Sequence, residues 1–399
     1  MKQRRLFPVY LTYFLDNFGL ALVYPVFTPI LLHPHALLST LPTVSHTLLL
    51  ILLISTLPIG MFIGAPFLGQ FSDRFGRKRA FFFTILGTAT GYLLTALSFQ
   101  YSSLTLLFIS RFLTGLFASN LTLCLAAVAD CSTDQMARTR NFGYIATLGG
   151  LGFILAISLG RYLSDVEPSI SFFLTAGINY LNFICMITLF HETHQPKPAT
   201  KIEPFKALRH LFSLIASKGL SKIYLANCLF MFAWIASMNA FSKNLSELFF
   251  LSSEQITHTL ILCGVVWGAC NFVINRMLVR RFLPSQTLPA CLFLLFLSLL
   301  SVALAKNLSL FFLFFYPATA LAALCWTNSL ANISLKSPEN IQGSILGVNQ
   351  AITSLASMLA PPFAALFVPQ SSATLYLFTS LACLLAFILL KKHQLISLP

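Results

Sequence analysis

The stretch GAPFLGQFSDRFGRKRAFFFTILG, from Gly64 to Gly87, places five charged residues between two apolar runs. Each run continues beyond the quoted stretch and reaches the length of about 20 residues that a helix needs to cross a bilayer. Charged side chains enter the hydrocarbon region only at a high cost in free energy. The stretch therefore predicts two transmembrane helices that are joined by a short basic loop at one membrane face.

The same pattern of apolar runs and short polar breaks extends over the whole chain. Of its 399 residues, 57% are hydrophobic and 9% are charged, and the mean hydropathy of +0.82 excludes an ordinary soluble domain. The runs are continuous rather than alternating, which excludes the strands of a membrane β-barrel. The sequence predicts an all-α integral membrane protein with twelve helices near 6–31, 44–69, 80–99, 103–129, 142–162, 170–190, 223–242, 257–275, 288–305, 308–333, 344–367 and 373–390.

The positions of the basic residues predict the orientation. A net charge of +14 would indicate nucleic acid in a soluble protein, but here the charges lie in short gaps between apolar runs. Twenty-one of the 25 lysines and arginines fall on one side if the N-terminus is inside, and only Arg161, Lys243 and Lys306 fall outside. By the positive-inside rule we expect both termini in the cytoplasm and the protein in the cytoplasmic (inner) membrane.

The middle of the chain carries one long polar stretch with three prolines. This stretch, 191–222, is predicted to be a cytoplasmic linker between an N-terminal bundle, 1–190, and a C-terminal bundle, 223–399. A shift of 204 residues places Gly64 on Gly268, Arg77 on Arg281 and Gly143 on Gly347. We therefore expect two pseudo-symmetric six-helix bundles, an arrangement typical of transporters that work by alternating access.

The loop GQFSDRFGRKR, Gly69 to Arg79, resembles the signature of the major facilitator superfamily. The resemblance implies that Asp73 latches the two halves by facing a helix N-terminus, whose partial positive charge favours a carboxylate. We call the matching residues the gating motif: Gly69, Asp73, Arg74, Gly76, Arg77 and Lys78. The alternative is a basic loop that only sets the topology.

Two charged residues are predicted to lie inside apolar spans. YFLDNFGLALVYPVFTP, Tyr13 to Pro29, and SRFLTG, Ser110 to Gly115, resemble the first and fourth helices of the drug:proton antiporter and tetracycline-efflux branch. A medium of low dielectric favours a protonated carboxylate, and a nearby guanidinium favours the charged form. Asp16 and Arg111 are therefore the candidates for proton coupling. The alternatives are an ionised Asp16 at the headgroup level and an Arg111 that only braces helices.

A set of neutral polar and aromatic residues is predicted to line a substrate cavity: Asn17, Asn227, Trp234, Asn239, Trp267, Asn328, Asn349 and Gln350. Each of them is also typical of a hydrogen bond between helices. Such a cavity suits neutral or cationic, partly aromatic compounds. No cofactor or metal site is predicted, because the nine cysteines form no CxxC pair and Pro34 separates His33 from His35.

We therefore expect a secondary active transporter, monomeric in the bilayer, that exports a small hydrophobic or cationic molecule by proton antiport. The alternative is metabolite uptake by proton symport or facilitated diffusion. That alternative is favoured by GLGFILAISLG, Gly150 to Gly160, which lacks the proline usual in the antiporter branch. A membrane enzyme is disfavoured, because no catalytic cluster of Asp, Glu or His occurs.

Overall fold

The computed structural model describes residues 2–22, 43–118, 120–164, 167–194, 220–367 and 372–396. They include a π turn, Cys270–Ile274, and a 3-10 turn, Glu339–Ile341. The helices are α1 (Lys2–Ala21), α2 (Thr43–Phe75), α3 (Arg77–Gln100), α4 (Leu104–Phe117), α5 (Asn120–Cys131), α6 (Gln135–Ser164), α7 (Pro168–Leu189), α8 (Ser221–Glu247), α9 (Ser253–Ala269), α10 (Asn275–Leu278), α11 (Pro284–Ala303), α12 (Leu308–Leu335), α13 (Gln342–Phe367) and α14 (Ser372–Ile396).

The predicted all-α membrane fold is confirmed. Within the described ranges, eleven helical segments are long and apolar enough to cross a membrane, and they correspond to the second through twelfth predicted spans. The first predicted span, 6–31, is described only as far as Leu22, and Pro25, His33 and His35 lie outside the described residues. The predicted span 103–129 consists of two helices, because α4 ends at Phe117 and α5 begins at Asn120.

The helices carry large apolar side chains on their outer surfaces. Leu181, Leu313 and Leu366 are 68%, 61% and 71% exposed in the protein alone. Such surfaces are stable in lipid, where helices also satisfy their own backbone hydrogen bonds. The starts of α4 and α12 use polar caps: Ser103 accepts from the N–H of Leu106, and Asn307 accepts from the N–H of Leu310.

The chain divides into two compact units. The first comprises Met1–Cys131, Leu151–Leu211 and Glu339–Ser354, and the second comprises Ser132–Gly150, Phe212–Pro338 and Leu355–Pro399. Helices α6 and α13 each contribute residues to both units. The predicted linker is described only up to His194 and from Leu220 onwards, so the division into 1–190, 191–222 and 223–399 stays a prediction.

Glycines bring α2 and α4 into backbone contact within the first unit. A Cβ at Gly64 would collide with the carbonyl oxygen of Leu116, and a Cβ at Gly115 would collide with that of Leu57. Gly60 likewise faces the carbonyl oxygen of Phe112, which would lie 2.5 Å from an added Cβ. Small residues at such contacts allow helices to pack closely in a membrane, where the hydrophobic effect does not drive them together.

We predict that Gly64→Val lowers the thermal stability of the purified protein in detergent, because the added side chain must displace the backbone of α4. Overpacking of this kind costs about 1–3 kcal/mol. Gly177→Val is the matched control, since nothing lies within 4 Å of a Cβ at Gly177 in α7. Equal melting temperatures for the two variants would contradict this account of the α2–α4 contact.

Candidate functional site

The turn of the gating motif requires a glycine. Gly76 lies between α2 and α3 with a φ of +96°, a conformation that residues with a Cβ rarely adopt. Its N–H donates to the carbonyl oxygen of Ser72, and its own carbonyl accepts from the N–H of Ala80. The chain therefore leaves α2 and enters α3 with a single residue between them, which brings Asp73 and Arg77 to the same place.

Arg77 is fully buried at this turn, and two of its three guanidinium nitrogens bind acceptors. Its Nη1 lies 2.7 Å from Oδ1 of Asp73 and also donates to the hydroxyl of Ser72. Its Nε lies 2.9 Å from Oδ2 of Asp130 on α5. A guanidinium stays charged at any physiological pH and is stable here only with such partners. This ion-pair network therefore joins α2, α3 and α5.

The carboxylate of Asp73 also caps the N-terminus of α13. Its Oδ1 accepts from the N–H of Gly343 at 2.9 Å, and its Oδ2 accepts from the N–H and the hydroxyl of Ser344, both at 2.6 Å. The free N–H groups at a helix start carry a partial positive charge that attracts an anion. Gly69 permits this approach, because a Cβ there would collide with the carbonyl oxygen of Gly343. The gating role of Asp73 stays a prediction.

The segment after α7 completes the network, and sequence reasoning missed it. The carboxylate of Glu192 accepts from the N–H of Arg77 at 2.9 Å and from that of Lys78 at 3.0 Å. The ring Nε2 of His194 lies 3.0 Å from the carbonyl oxygen of Asp73. In the sequence these residues are part of a polar linker, and only an acidic residue just after an apolar span hinted at a cap. Arg74, by contrast, lies over the ring of Phe75 at 5.2 Å.

Asp16 and Arg111, the two predicted coupling residues, are both buried, with 4% and 2% of their surface exposed. Oδ1 of Asp16 accepts a hydrogen bond of 2.8 Å from the side-chain amide of Asn120 on α5. The guanidinium of Arg111 lies 6.0 Å from the centre of the Tyr92 ring. The hydroxyl of Tyr92 lies against Gly19, one turn after Asp16. Tyr92 therefore connects the surroundings of the two charged residues.

The predicted cavity residues of the second unit include a stacked group of aromatic side chains. The ring centres of Trp234 and Trp267 are 6.1 Å apart, and those of Trp267 and Trp326 are 6.4 Å apart. Trp234 also stacks on Phe315 at 6.1 Å. We call these four residues the aromatic cluster. Flat apolar faces of this kind bind aromatic rings and cations.

The predicted asparagines of the second unit form hydrogen bonds to protein groups. Asn227 accepts from the hydroxyl of Ser329, and Asn328 donates to Asn275. Asn239 is exposed and donates to the carbonyl oxygen of Ile235 in its own helix. These bonds fit the interhelical role that the sequence left open for Asn227 and Asn328.

The three remaining cavity candidates belong to the first unit. Asn17 is half-buried and donates to the carbonyl oxygen of Tyr13, while Asn349 and Gln350 are buried in α13. Five of the eight predicted residues therefore belong to the second unit and three to the first, and their role as a cavity lining stays a prediction. Within the described ranges, no three His, Cys, Asp or Glu side chains are arranged as a metal site would require.

The chain matches a known family over most of its length. The model of the Major Facilitator Superfamily matches residues 7–361. The class H tetracycline resistance protein of Pasteurella multocida is 34% identical over 181 residues, which are 45% of this chain and 43% of that protein. The class C tetracycline resistance protein of Escherichia coli is 24% identical over 370 residues, 90% of this chain and 88% of that protein. The alignment with the class H protein thus spans less than half of that protein.

Two solved structures share the fold. The human organic anion transporter MFSD10 (TETRAN) superposes with a TM-score of 0.82 at 20% identity, over 98% of this chain and 99% of that one. The proton:xylose symporter XylE superposes with a TM-score of 0.75 at 14% identity, over 98% of this chain and 95% of that one.

We predict that Asp73→Asn destabilises the protein by about 3 kcal/mol, because it removes a charged partner from the buried Arg77. The loss in the double variant Asp73→Asn/Arg77→Gln should be smaller than the sum of the two single losses by about 0.5–3 kcal/mol. The control is Glu254→Gln, at an exposed residue in the first turn of α9, with an expected loss below about 1 kcal/mol. Additive losses in the thermal unfolding of the variants would contradict the coupled network.

Proposed function

Because the chain belongs to the major facilitator superfamily, and is thus a membrane transporter rather than an enzyme, we propose that it exports a small hydrophobic or cationic molecule in exchange for protons. The observation that carries this proposal is a carboxylate, Asp16, buried in α1 beside a neutral amide. A buried carboxylate that is not paired with a permanent positive charge can bind and release a proton. Ionisable groups inside a membrane protein are rare and are typical of proton relays.

In the proposed cycle, Asp16 alternates between a protonated state and a substrate-loaded state. A cationic or polar compound that enters the cavity favours the charged carboxylate and releases the proton, and reprotonation then weakens binding of the substrate. Arg111 supplies a fixed positive charge behind Tyr92 that opposes full protonation of the site. The aromatic cluster supports a substrate with flat apolar parts.

The gating motif is proposed to control which side of the membrane the site faces. In one state Asp73 caps α13, and in the other state this cap is released while the halves 1–190 and 223–399 rock about the site. Gly69 and Gly76 allow the close approach and the turn, and Arg77 holds Asp73 in place. Arg74 and Lys78 keep the loop at the cytoplasmic surface.

The location and the substrate class are also proposals. The basic residues support a cytoplasmic membrane location with both termini inside, and nothing in the cycle requires more than a monomer. The names of the relatives, tetracycline resistance proteins, support a drug-like substrate. The proton:xylose symporter, with its similar fold, supports the alternative of metabolite uptake by symport.

We predict that proteoliposomes with an acidic interior lose their pH gradient when a transported compound is added. The panel contains tetracycline, lipophilic cations and common metabolites, and a trapped pH dye reports the gradient. Asp16→Asn should abolish the response to the level of empty liposomes, because an amide cannot carry the proton.

Asp134→Asn is the matched control. Asp134 is exposed outside the spans, and the N–H of Ala137 holds the pKa of its carboxyl below the usual range, so that it stays ionised at neutral pH. This variant should transport like the wild type. Movement of a metabolite down its own gradient, without protons and unaffected by Asp16→Asn, would contradict proton-coupled export and favour a facilitator.

A further inference from the structure

In the side-chain amide of Asn120, the nitrogen forms a hydrogen bond and the oxygen forms none with the described residues. Its nitrogen donates to Asp16, while its carbonyl oxygen is buried and has no hydrogen-bond partner among the described residues. Asn120 itself is fully buried. A buried polar atom without a partner is unfavourable, and such atoms are rare in folded proteins. The unused oxygen lies on the same planar group as the nitrogen that contacts Asp16.

A side-chain amide can form a hydrogen bond with a neighbouring carboxyl group in either protonation state of that carboxyl group. An ionised carboxylate only accepts, so it takes the N–H of the amide. A protonated carboxyl has an O–H to donate, and the partner it needs is a carbonyl oxygen. Rotation of the Asn120 amide would supply that oxygen. The orientation of Asn120 therefore depends on whether Asp16 carries a proton.

Asn120 is also the first residue of α5, and the same helix ends at the gating network. Asp130, near the other end of α5, binds Nε of Arg77 at 2.9 Å, and Arg77 binds Asp73. Asp130 follows Asn120 by ten positions, which correspond to about 15 Å of helix. Nine of the 12 residues of α5 are buried. A closely packed helix transmits a displacement from one end to the other, because the protein interior around it is nearly incompressible.

We propose that Asn120 responds to the protonation state of Asp16 and that α5 transmits this state to Asp130, Arg77 and the Asp73 cap of α13. Asn120 is thus a positioning residue that couples the proton site to the gating motif. This inference rests on the proposed function in so far as Asp16 is the proton carrier.

The other titratable groups around Asp16 do not provide such a link. The carboxylate of Asp16 has electrostatic interactions with three of them: Tyr13 of α1, Tyr92 of α3 and Cys124 of α5. Arg111 of α4 faces the ring of Tyr92. Cys124 donates to the carbonyl oxygen of Val9, which ties α5 to α1 independently of Asp16. Asn120, by contrast, donates a hydrogen bond to the carboxylate of Asp16 itself.

The test is a double-variant comparison by hydrogen exchange in detergent at a single pH. Asp16→Asn imitates the neutral, protonated carboxyl. The readout is the exchange rate of the backbone N–H groups of Gly343 and Ser344, which donate hydrogen bonds to the carboxylate of Asp73. In the otherwise wild-type protein, Asp16→Asn should change this rate by roughly 2- to 30-fold, the range of typical coupling between distant sites. In the background of Asn120→Leu the same change should vanish.

Asn182→Leu provides the matched control background. Asn182 lies on α7, is buried, and accepts from the hydroxyl of Thr12 on α1, so its loss removes a comparable contact with α1 but none with Asp16. Here Asp16→Asn should act as it does in the wild type. If Asn120→Leu does not fold, Asn120→Ala serves the same purpose.

Two results would overturn the inference: an effect of Asp16→Asn that persists without Asn120, or no effect of Asp16→Asn in any background. The exchange measurement needs no substrate and no pH gradient. It therefore fails or succeeds separately from the proton-coupled export proposed above, which the liposome experiment tests.

Discussion

The burial of the Arg77 guanidinium is the constraint on which the end of the first unit that carries the gating motif depends. A permanent charge without access to water needs acceptors, and Ser72 and Asp73 of α2 bind its Nη1 while Asp130 of α5 binds its Nε. Asp73, which this charge binds, also caps α13 through Gly343, 270 residues further along the sequence. A single side chain is thus in contact with residues that join three helices and one helix terminus.

Polar groups of the helices have different partners in different parts of the structure. At the gating motif they form ion pairs and helix caps, and all of these are closely coupled to one another. In the second unit, amides such as Asn328 bond to amides of neighbouring helices and hold those helices together. Asp16 differs from both groups, because its described partner is a neutral amide with an unused oxygen. This difference supports the proposal that Asp16 changes its protonation state while the paired charges of the gating motif keep theirs.

Hydropathy alone predicted the spans, because a bilayer allows little besides apolar helices of about 20 residues. The turn at Gly76 was also predictable, since a glycine between Asp73 and Arg77 leaves few alternatives, while the gating role of the motif stays a prediction. The contacts of Glu192 and Asn120 were not predictable. An asparagine in an apolar run has the same appearance whether it bonds to a helix backbone or to a carboxylate 104 residues away. Asn239 is exposed and Asn227 is buried, and the sequence did not distinguish these two positions. When all sides of a helix are apolar, its sequence does not show which face is buried.

The most direct test of the central claim, that proton and substrate compete for Asp16, is the release of protons on binding in weakly buffered detergent solution near pH 7. A dye reports the pH while a compound that the protein transports is titrated in. The account predicts release of up to about one proton per molecule bound by the wild type and none by Asp16→Asn. Equal release from both proteins, or binding without any release from the wild type, would contradict it.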